Sequence, residues 1–411
     1  MEKTTKMPEQ METTFPIQEK NPVKVALSDR LSGVSEYYFA TKLRQIEMMN
    51  RDGKQVINLG IGSPDQPPHP VVIKTLYEES LKPNQHGYQN YRGHLLLREA
   101  VANWYLKYYG VKLDPAKEIV PLMGSKEGLM HICMTYINPG DAVLIPNPGY
   151  PTYTSAARIA GAEILPYTIS EDTGEPDFKL IEKHELSNVK LMFINYPHMP
   201  TGIKCSKDIF QKIIEFGRRH GILIVHDNPY SFILNDNPLS IFCIEGAKDV
   251  AVELNSLSKS HNMAGWRIGF LLAREDRISE VMKFKSNMDS GMFLPLQLAA
   301  AKALTLGKEW YDSVNKVYGR RREKVYQLMD LLGAKYATNR SGLFVWAKIP
   351  DRYESAFELS DKVLESANVF ITPGGIFGST GDRFIRISLC AKEDVIENAI
   401  GIIKNAGGLI K

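Results

Sequence analysis

Short runs of consecutive apolar residues alternate with amphipathic stretches through the middle of the chain. Runs of four to six residues are typical of strands buried on both faces of a sheet, and they occur at 118–123, 142–145, 163–167, 190–194, 222–226 and 250–254. Helical spacing of apolar residues separates them, at 126–137, 152–160 and 207–220. The alternation predicts βαβ units, and therefore an α/β fold whose large domain has a mostly parallel sheet flanked by helices.

The two ends of the chain predict a second, smaller α/β domain. They contain helical patterns and short apolar runs, at 31–51, 56–59, 311–332, 343–348 and 384–388, and a further helical pattern at 297–306 precedes 311–332. The first residues are polar and show no periodicity. We therefore expect a mobile arm over 1–23, a small domain built from 24–66 and 308–411, and a large domain over 67–307.

Composition and charge exclude several classes of protein. The 411 residues are 44% hydrophobic and 24% charged, and 50 basic against 47 acidic residues leave a net charge of +3. So small an excess gives no reason to expect nucleic acid or membrane as a partner, and no apolar run approaches the length of a membrane span. The four cysteines include no CxxC pair, and the nine histidines form no HExxH motif. We therefore expect a cytoplasmic protein without a disulfide framework or a metal site.

A lysine stands at the end of one predicted strand, in the segment Ser256-Leu257-Ser258-Lys259-Ser260. Lys259 could be a surface lysine whose stem packs on apolar residues while its amine reaches water. It could equally be a partly desolvated amine that forms a Schiff base. Arg267 follows eight residues later. A guanidinium near serine hydroxyls suits a phosphate dianion.

An acidic residue, Asp227, follows the strand predicted at 222–226, at the edge where ligands of open α/β sheets bind. Three interpretations are open: a metal ligand, a helix cap, or a carboxylate paired with a protonated pyridine nitrogen. In the third case Tyr230, three residues on, would place its phenol near a ring oxygen.

A small-residue turn, Gly124-Ser125-Lys126, leads from a predicted strand into a predicted helix. The free N–H groups of the first helical turn and the Ser125 hydroxyl could bind an anion, or the turn could be a plain helix cap. It is not a P-loop, because the GxxxxGK[ST] motif is absent. The triple arginine Arg320-Arg321-Arg322 is interpreted as a solvated helix face.

Taken in order along the chain, these motifs resemble fold-type I, pyridoxal-phosphate-dependent aminotransferases of class I/II. The resemblance runs from about Leu31 to the C-terminus and favours the branch of LL-diaminopimelate and related alanine or aromatic aminotransferases. It rests on family-like stretches at Asn58–Asp65, Tyr88–Gly93, Pro146–Tyr153, Ser256–Gly269 and Ser286–Phe293.

The resemblance implies a role for each cofactor-binding residue. Lys259 would carry pyridoxal 5'-phosphate as a Schiff base and move a proton during the reaction. Asp227 would keep the pyridine nitrogen protonated, Tyr230 would hydrogen-bond the ring O3′, and Tyr150 would stack on the ring. The phosphate would be held by Ser125, the backbone of Lys126, Ser256, Ser258 and Arg267.

The resemblance also implies the partners. The substrates would be an α-amino acid and a 2-oxo acid, with Arg386 gripping the substrate α-carboxylate and Gly62 beneath it. Tyr37 would close over the substrate. Tyr88 would reach the phosphate of a neighbouring subunit, so the active unit would be a homodimer with shared active sites.

One position departs from the family pattern. The family has Asn-Pro-Thr-Gly, whose asparagine donates to O3′, whereas this chain has Met199-Pro200-Thr201-Gly202. A thioether donates no hydrogen bond. Either Tyr230 or the adjacent His198 supplies enough stabilisation, or the cofactor electronics and the favoured reaction are altered.

Three functions compete on this sequence. The leading prediction is an aminotransferase that moves an α-amino group from an L-amino acid to a 2-oxo acid. The second is a C–S β-lyase on the same scaffold, since fold does not decide reaction class. The third is a regulator with an aminotransferase-like sensor domain, but the first 30 residues are too short and too uncharged for a helix-turn-helix.

Overall fold

The computed structural model describes residues 23–31, 33, 34, 36 and 38–406. Except for Val23, the predicted arm over 1–23 lies outside the described residues, and so does Tyr37.

The strands are numbered in chain order. They are β1 Ile57–Asn58, β2 Ile119–Leu122, β3 Ala142–Pro146, β4 Glu163–Tyr167, β5 Val189–Asn195, β6 Leu223–Asp227, β7 Ala251–Ser256, β8 Gly269–Leu272, β9 Lys335–Tyr336, β10 Phe344–Lys348, β11 Val369–Phe370, β12 Thr372–Pro373 and β13 Phe384–Ser388.

The α-helices are numbered in the same way. They are α1 Tyr38–Arg51, α2 Pro70–Ser80, α3 Leu95–Tyr109, α4 Ser125–Tyr136, α5 Pro151–Ala160, α6 Phe178–Ile181, α7 Lys207–His220, α8 Leu257–Ser260, α9 Glu275–Lys285, α10 Leu294–Leu304, α11 Lys308–Leu331, α12 Ala356–Ala367 and α13 Glu393–Asn405.

A seven-stranded sheet with the order β2-β8-β7-β6-β5-β3-β4 forms the centre of the molecule. All neighbours are parallel except that β8 runs antiparallel to β2 and β7. The residues of β2, β3, β6 and β7 are buried throughout, as continuous apolar runs require, and helices cover both faces. This confirms the predicted α/β fold. The carboxyl ends of β5, β6 and β7 bring Asn195, Asp227 and Ser256 to one edge.

The two ends of the chain meet in a separate pair of sheets. Strand β1 pairs in parallel with β11, and a four-stranded sheet has the order β12-β13-β10-β9. An apolar core combines residues between Phe39 and Leu59 with residues between Val314 and Ile403. Among the described residues, no helix combines the length and apolar content that crossing a bilayer requires.

The predicted start of one helix needs correction, and several helices were not predicted. The first long helix begins at Tyr38 rather than at 31, after a short 3₁₀ turn at Asp29–Leu31. Helices α2, α3, α9, α12 and α13 were not predicted. Several begin where the sequence gives a usable signal, such as proline in the first turn of α2 and the Ser355 cap of α12.

The triple arginine is only partly a solvated face. Arg321 is 4% exposed, and its guanidinium donates to both oxygens of Asp65 at 2.7 and 2.8 Å and to the Leu389 carbonyl at 3.1 Å. Arg320 is exposed and pairs with Glu393 at 2.9 Å. The expectation is therefore wrong for Arg321, because its partner lies 256 residues away and is invisible to local pattern.

Candidate active site

A cavity of about 510 Å³ lies between the carboxyl edge of the seven-stranded sheet and the two chain ends. A volume of this size is ordinary for a small-molecule site. Eleven of the predicted site residues line it: Gly62, Ser125, Lys126, Tyr150, Asp227, Tyr230, Ser256, Ser258, Lys259, Arg267 and Arg386.

Lys259 lies on the one-turn helix α8, directly after β7, so the strand end carries its side chain into the cavity. Its Nζ donates to the Gly62 carbonyl at 2.6 Å. Burial lowers the pKa of Lys259, and the positive charges of Arg386 and Arg267 lower it further. A lysine amine in this setting loses its proton more readily than one in water, which favours a nucleophile over a surface lysine.

Asp227 ends β6 inside the cavity and is 4% exposed. Tyr153 Oη donates to Asp227 Oδ2 at 2.8 Å, and Asn195 Nδ2 donates to the Asp227 carbonyl at 2.6 Å. The buried Oδ1 has no hydrogen-bond partner among the described residues. Burial raises the pKa of Asp227 to about 6, opposed by the Tyr153 bond and the charge of His226. A buried carboxylate oxygen without a donor fits a protonated ring nitrogen better than it fits a helix cap.

The turn before α4 faces two serines and an arginine. Gly124 has φ of 81°, and α4 begins without a side-chain cap, which leaves its first N–H groups to a ligand. A Cβ on Gly124 would lie 2.0 Å from Arg267 Nη2, so only glycine permits this approach. Ser256 Oγ donates to Ser258 Oγ at 2.7 Å. Backbone N–H groups, hydroxyls and a guanidinium together fit a phosphate dianion.

Three aromatic rings surround the guanidinium of Arg386. Its Cζ lies 3.9 Å from the ring centroid of Phe344, 4.5 Å from that of Phe377 and 5.4 Å from that of Phe39. Arg386 Nη2 donates to the Gly60 carbonyl at 2.8 Å. The rings exclude water from the cation and hold its plane, which prepares it for a carboxylate.

Met199 also contacts this arginine. Its Sδ lies 3.4 Å from Arg386 Nη1, and its backbone N–H donates to Asn195 Oδ1 at 2.7 Å. His198 is not among the described residues that line the cavity, and its Nδ1 lies 2.8 Å from Thr201 Oγ1. Burial lowers the pKa of His198 to about 3. The lining of the cavity therefore gives no support to the expectation that His198 could replace the missing asparagine.

Of the two remaining predicted residues, Tyr88 is not among the described residues that line this cavity. Tyr88 is 95% exposed, which leaves it available to another molecule. Tyr37 lies outside the described residues.

Several residues of the cavity were not predicted from the sequence. Tyr153 ends the family-like stretch Pro146–Tyr153, yet its bond to Asp227 joins residues 74 positions apart. Asn195 directly follows the strand predicted at 190–194 and could have been suspected, since polar residues at carboxyl strand ends face ligands. Phe39 and Phe344 look like ordinary core residues in sequence.

One cluster elsewhere has the composition of a metal site. Glu127, His131 and Asp289 bring ligand atoms within 4.8 Å of one another. Lys285 Nζ lies 2.7 and 2.5 Å from the two oxygens of Asp289, so an ammonium already neutralises this carboxylate. We interpret the cluster as a buried ion-pair network. The i, i+4 spacing of Glu127 and His131 was a signal that the sequence analysis overlooked.

Comparisons with known proteins agree with this geometry. Residues 54–403 match the family model described as aminotransferase class I and II. The chain is 38% identical over 382 residues to an LL-diaminopimelate aminotransferase of Halothermothrix orenii, an alignment that covers 92% of this chain and 98% of the relative. It is 38% identical over 375 residues to the transaminase BacF of Bacillus subtilis, which covers 90% of this chain and 94% of BacF.

Solved structures give the same result. The apo-BacF structure superposes with a TM-score of 0.89 at 37% identity, covering 93% of this chain and 98% of that one. An aspartate aminotransferase of Thermus thermophilus, 21% identical, shares the fold with a TM-score of 0.86 over 93% of this chain and 100% of its own. The chain therefore belongs to the class I and II aminotransferases and is a pyridoxal-phosphate-dependent aminotransferase.

Proposed function

We propose that the chain binds pyridoxal 5'-phosphate in the described cavity and moves the α-amino group of an L-amino acid to a 2-oxo acid through Lys259. The observation that carries the proposal is that the same cavity contains the Lys259 amine and the Asp227 carboxylate. The pKa of the amine is lowered, and the buried Oδ1 of the carboxylate has no hydrogen-bond partner among the described residues. When bound, pyridoxal phosphate supplies an aldehyde for the amine and a ring that withdraws electrons from the substrate α-carbon.

Asp227 would hold a proton at the ring nitrogen through its open Oδ1. The Tyr153 hydroxyl donates to the other oxygen, Oδ2, so Oδ1 is the oxygen that would accept a hydrogen bond from the ring nitrogen. A cationic ring nitrogen would replace the missing donor and stabilise the ionised form of Asp227, whose pKa burial has raised.

The phosphate would bind where the open first turn of α4 meets Arg267. Ser125, Ser256 and Ser258 supply hydroxyls at this end of the cavity, and Lys126 adds a second positive charge. Burial lowers the pKa of Lys126, and the charge of Arg267 lowers it further, an effect that a bound dianion would reverse. Tyr150 and Tyr230 line the space that remains for the ring.

Lys259 would accept and return the proton of the substrate α-carbon once its amine is released. Arg386 would bind the substrate α-carboxylate, with Gly62 beneath it and Tyr37 closing over it. A Cβ on Gly62 would lie 2.2 Å from Phe344 Cζ, so a side chain at this position would displace the ring that packs on Arg386.

The active unit would be a homodimer in which Tyr88 reaches the partner's phosphate. An exposed apolar surface supports this: Leu95 and Leu96 at the start of α3 are 46% and 53% exposed, and Phe293 is 42% exposed. Met123, 46% exposed, accepts a bond from Arg267, so the phosphate end of the cavity lies close to solvent.

The proposed domain division is 24–66 with 308–411 against 67–307. It is supported by separate apolar cores for the chain ends and for the two faces of the large sheet. A cytoplasmic location is proposed from the four free cysteines, which suit a reducing compartment.

The test is the absorption spectrum of the pyridoxal-phosphate-loaded protein before and after adding a single L-amino acid without any oxo acid. We expect the visible band to be lost while the 2-oxo acid of the added substrate appears in equal amount. Lys259→Ala is the control and should lack the original band. An unchanged band across all amino acids, or pyruvate and ammonia from cystathionine without an acceptor, would contradict the proposal, the latter in favour of the β-lyase.

A further inference from the structure

Among the described residues of one subunit, five charged residues line the cavity, and the proposed function uses all of them. They are Lys126, Asp227, Lys259, Arg267 and Arg386. The first four lie on the central sheet side, where they face the proposed cofactor. The fifth, Arg386, is the charged lining residue that the described part of the chain ends contributes, and it is assigned to the α-carboxylate.

The wall around Arg386 is apolar. Helix α1 contributes Phe39, Ala40 and Leu43, the segment after β1 contributes Ile61, and Phe344 and Phe377 complete the wall. Since three of these rings contact the Arg386 guanidinium, a carboxylate bound there would place the rest of the substrate within the same wall. Among the described residues, the chain ends offer no second charged group to the cavity.

Helix α1 has two positively charged residues next to Leu43 in sequence, and both form ion pairs with other residues. Lys42 Nζ lies 3.4 Å from Asp361 Oδ1 and over the ring of Phe370 at 5.9 Å. Arg44 forms a two-bond ion pair with Glu36 at 2.5 Å for each bond. Neither residue is available to a substrate without first giving up these contacts.

We propose that the amino donors of this enzyme carry uncharged, apolar side chains, aromatic or large aliphatic, and that the wall formed by Phe39, Leu43, Ile61 and Phe377 selects them. The inference rests on the proposed function. An apolar side chain gains by leaving water for this wall. A second carboxylate or an ammonium at the end of the side chain would be desolvated there without an opposite charge.

The first experiment measures binding without turnover. The probes are 3-phenylpropionate and glutarate, two carboxylates of comparable reach, titrated calorimetrically into the loaded enzyme. We expect 3-phenylpropionate to bind at least about 100-fold more tightly, because glutarate would desolvate a second unpaired carboxylate. Equal affinities, or tighter glutarate binding, would overturn the inference.

The second experiment compares rates of the amino-acid half-reaction. L-phenylalanine, L-methionine and L-leucine should react at least about 100-fold more efficiently than L-glutamate, L-lysine and LL-diaminopimelate, by the same argument. If no amino acid reacts, the proposed function itself has failed. If the charged substrates react best, the function stands and the inference is wrong.

A variant tests the wall directly. Leu43→Arg places a cation where the wall is apolar and should narrow the preference for 3-phenylpropionate over glutarate by at least about tenfold. Met48→Arg is the matched control, because Met48 lies on the same helix, is 65% exposed and is not among the described lining residues, so the preference should stay unchanged. An unchanged preference in Leu43→Arg, or an equal change in both variants, would contradict the inference. If Leu43→Arg does not fold, the wild-type binding ratio alone decides.

Discussion

The buried ion pair between Arg321 and Asp65 allows a sharp test of how the chain ends are held together. Arg321→Met keeps much of the side-chain length but removes the charge, two bonds to Asp65 and one to the Leu389 carbonyl. The side chains of Arg321 and Asp65 are 5% and 25% exposed, so the Asp65 carboxylate stays largely desolvated when its partner is removed. Removing one partner of a buried ion pair costs about 3–5 kcal/mol of stability. Because Asp65 is partly exposed, we expect Arg321→Met to lower the free energy of unfolding by about 3 kcal/mol.

The assay is urea unfolding of Arg321→Met, Asp65→Asn and the double variant, read as a double-mutant cycle. The double variant should be less destabilised than the sum of the single variants by about 1.5–3 kcal/mol, because it leaves no uncompensated charge. Arg320→Met is the matched control, since its ion pair with Glu393 is exposed and should be worth less than about 1 kcal/mol. Equal losses for Arg320→Met and Arg321→Met, or a coupling energy below about 0.5 kcal/mol, would refute the reasoning.

Three further predictions concern the cavity. Burial raises the pKa of Asp227 from 3.8 to about 6, so in this interval the folded cofactor-free protein holds a proton on Asp227 that the unfolded chain has lost. The Asp227 contribution to the free energy of unfolding should therefore fall by about 2.5 kcal/mol as pH rises from 4 to 7, and urea titrations of Asp227→Asn should lack this contribution. Gly62→Ala should lower kcat/KM at least about 100-fold by displacing Phe344, and unchanged kinetics would contradict this. Met199→Asn should lower the pKa of the Lys259 imine in a spectral titration because its amide can donate to O3′, whereas Met199→Leu should leave it unchanged.

The central sheet could be predicted from sequence because burial on both faces leaves a local signature. Strand β4 and helix α7 have the predicted bounds, Glu163–Tyr167 and Lys207–His220. The ends of the other predicted strands of this sheet differ by one or two residues, as expected for boundaries, and strand β8 was not predicted. Helix α3 was not predicted because its apolar residues lie on several sides of the helix, which blurs the helical periodicity of the sequence.

The candidate site was predictable only where local motifs resemble a known family. Lys259 and Asp227 stand at strand ends, where a polar residue after an apolar run is conspicuous. Tyr153, Phe39 and Arg321 acquire their roles from partners far away in the chain. Such contacts depend on how the sheets come together, and neither propensity nor periodicity contains that information.

The pairing of β1 with β11 constrains the order in which a growing chain can mature on the ribosome. Ile57 pairs with Val369, and the Leu59 carbonyl accepts from the Ser388 N–H at 2.8 Å. These hydrogen bonds of the first strand can therefore form only after nearly the whole chain has been synthesised. The seven-stranded sheet needs only residues up to Leu272 and can form earlier. Until the last strands emerge, the apolar face of α1 has no partner. Premature termination in this interval would leave a folded centre that lacks Arg386.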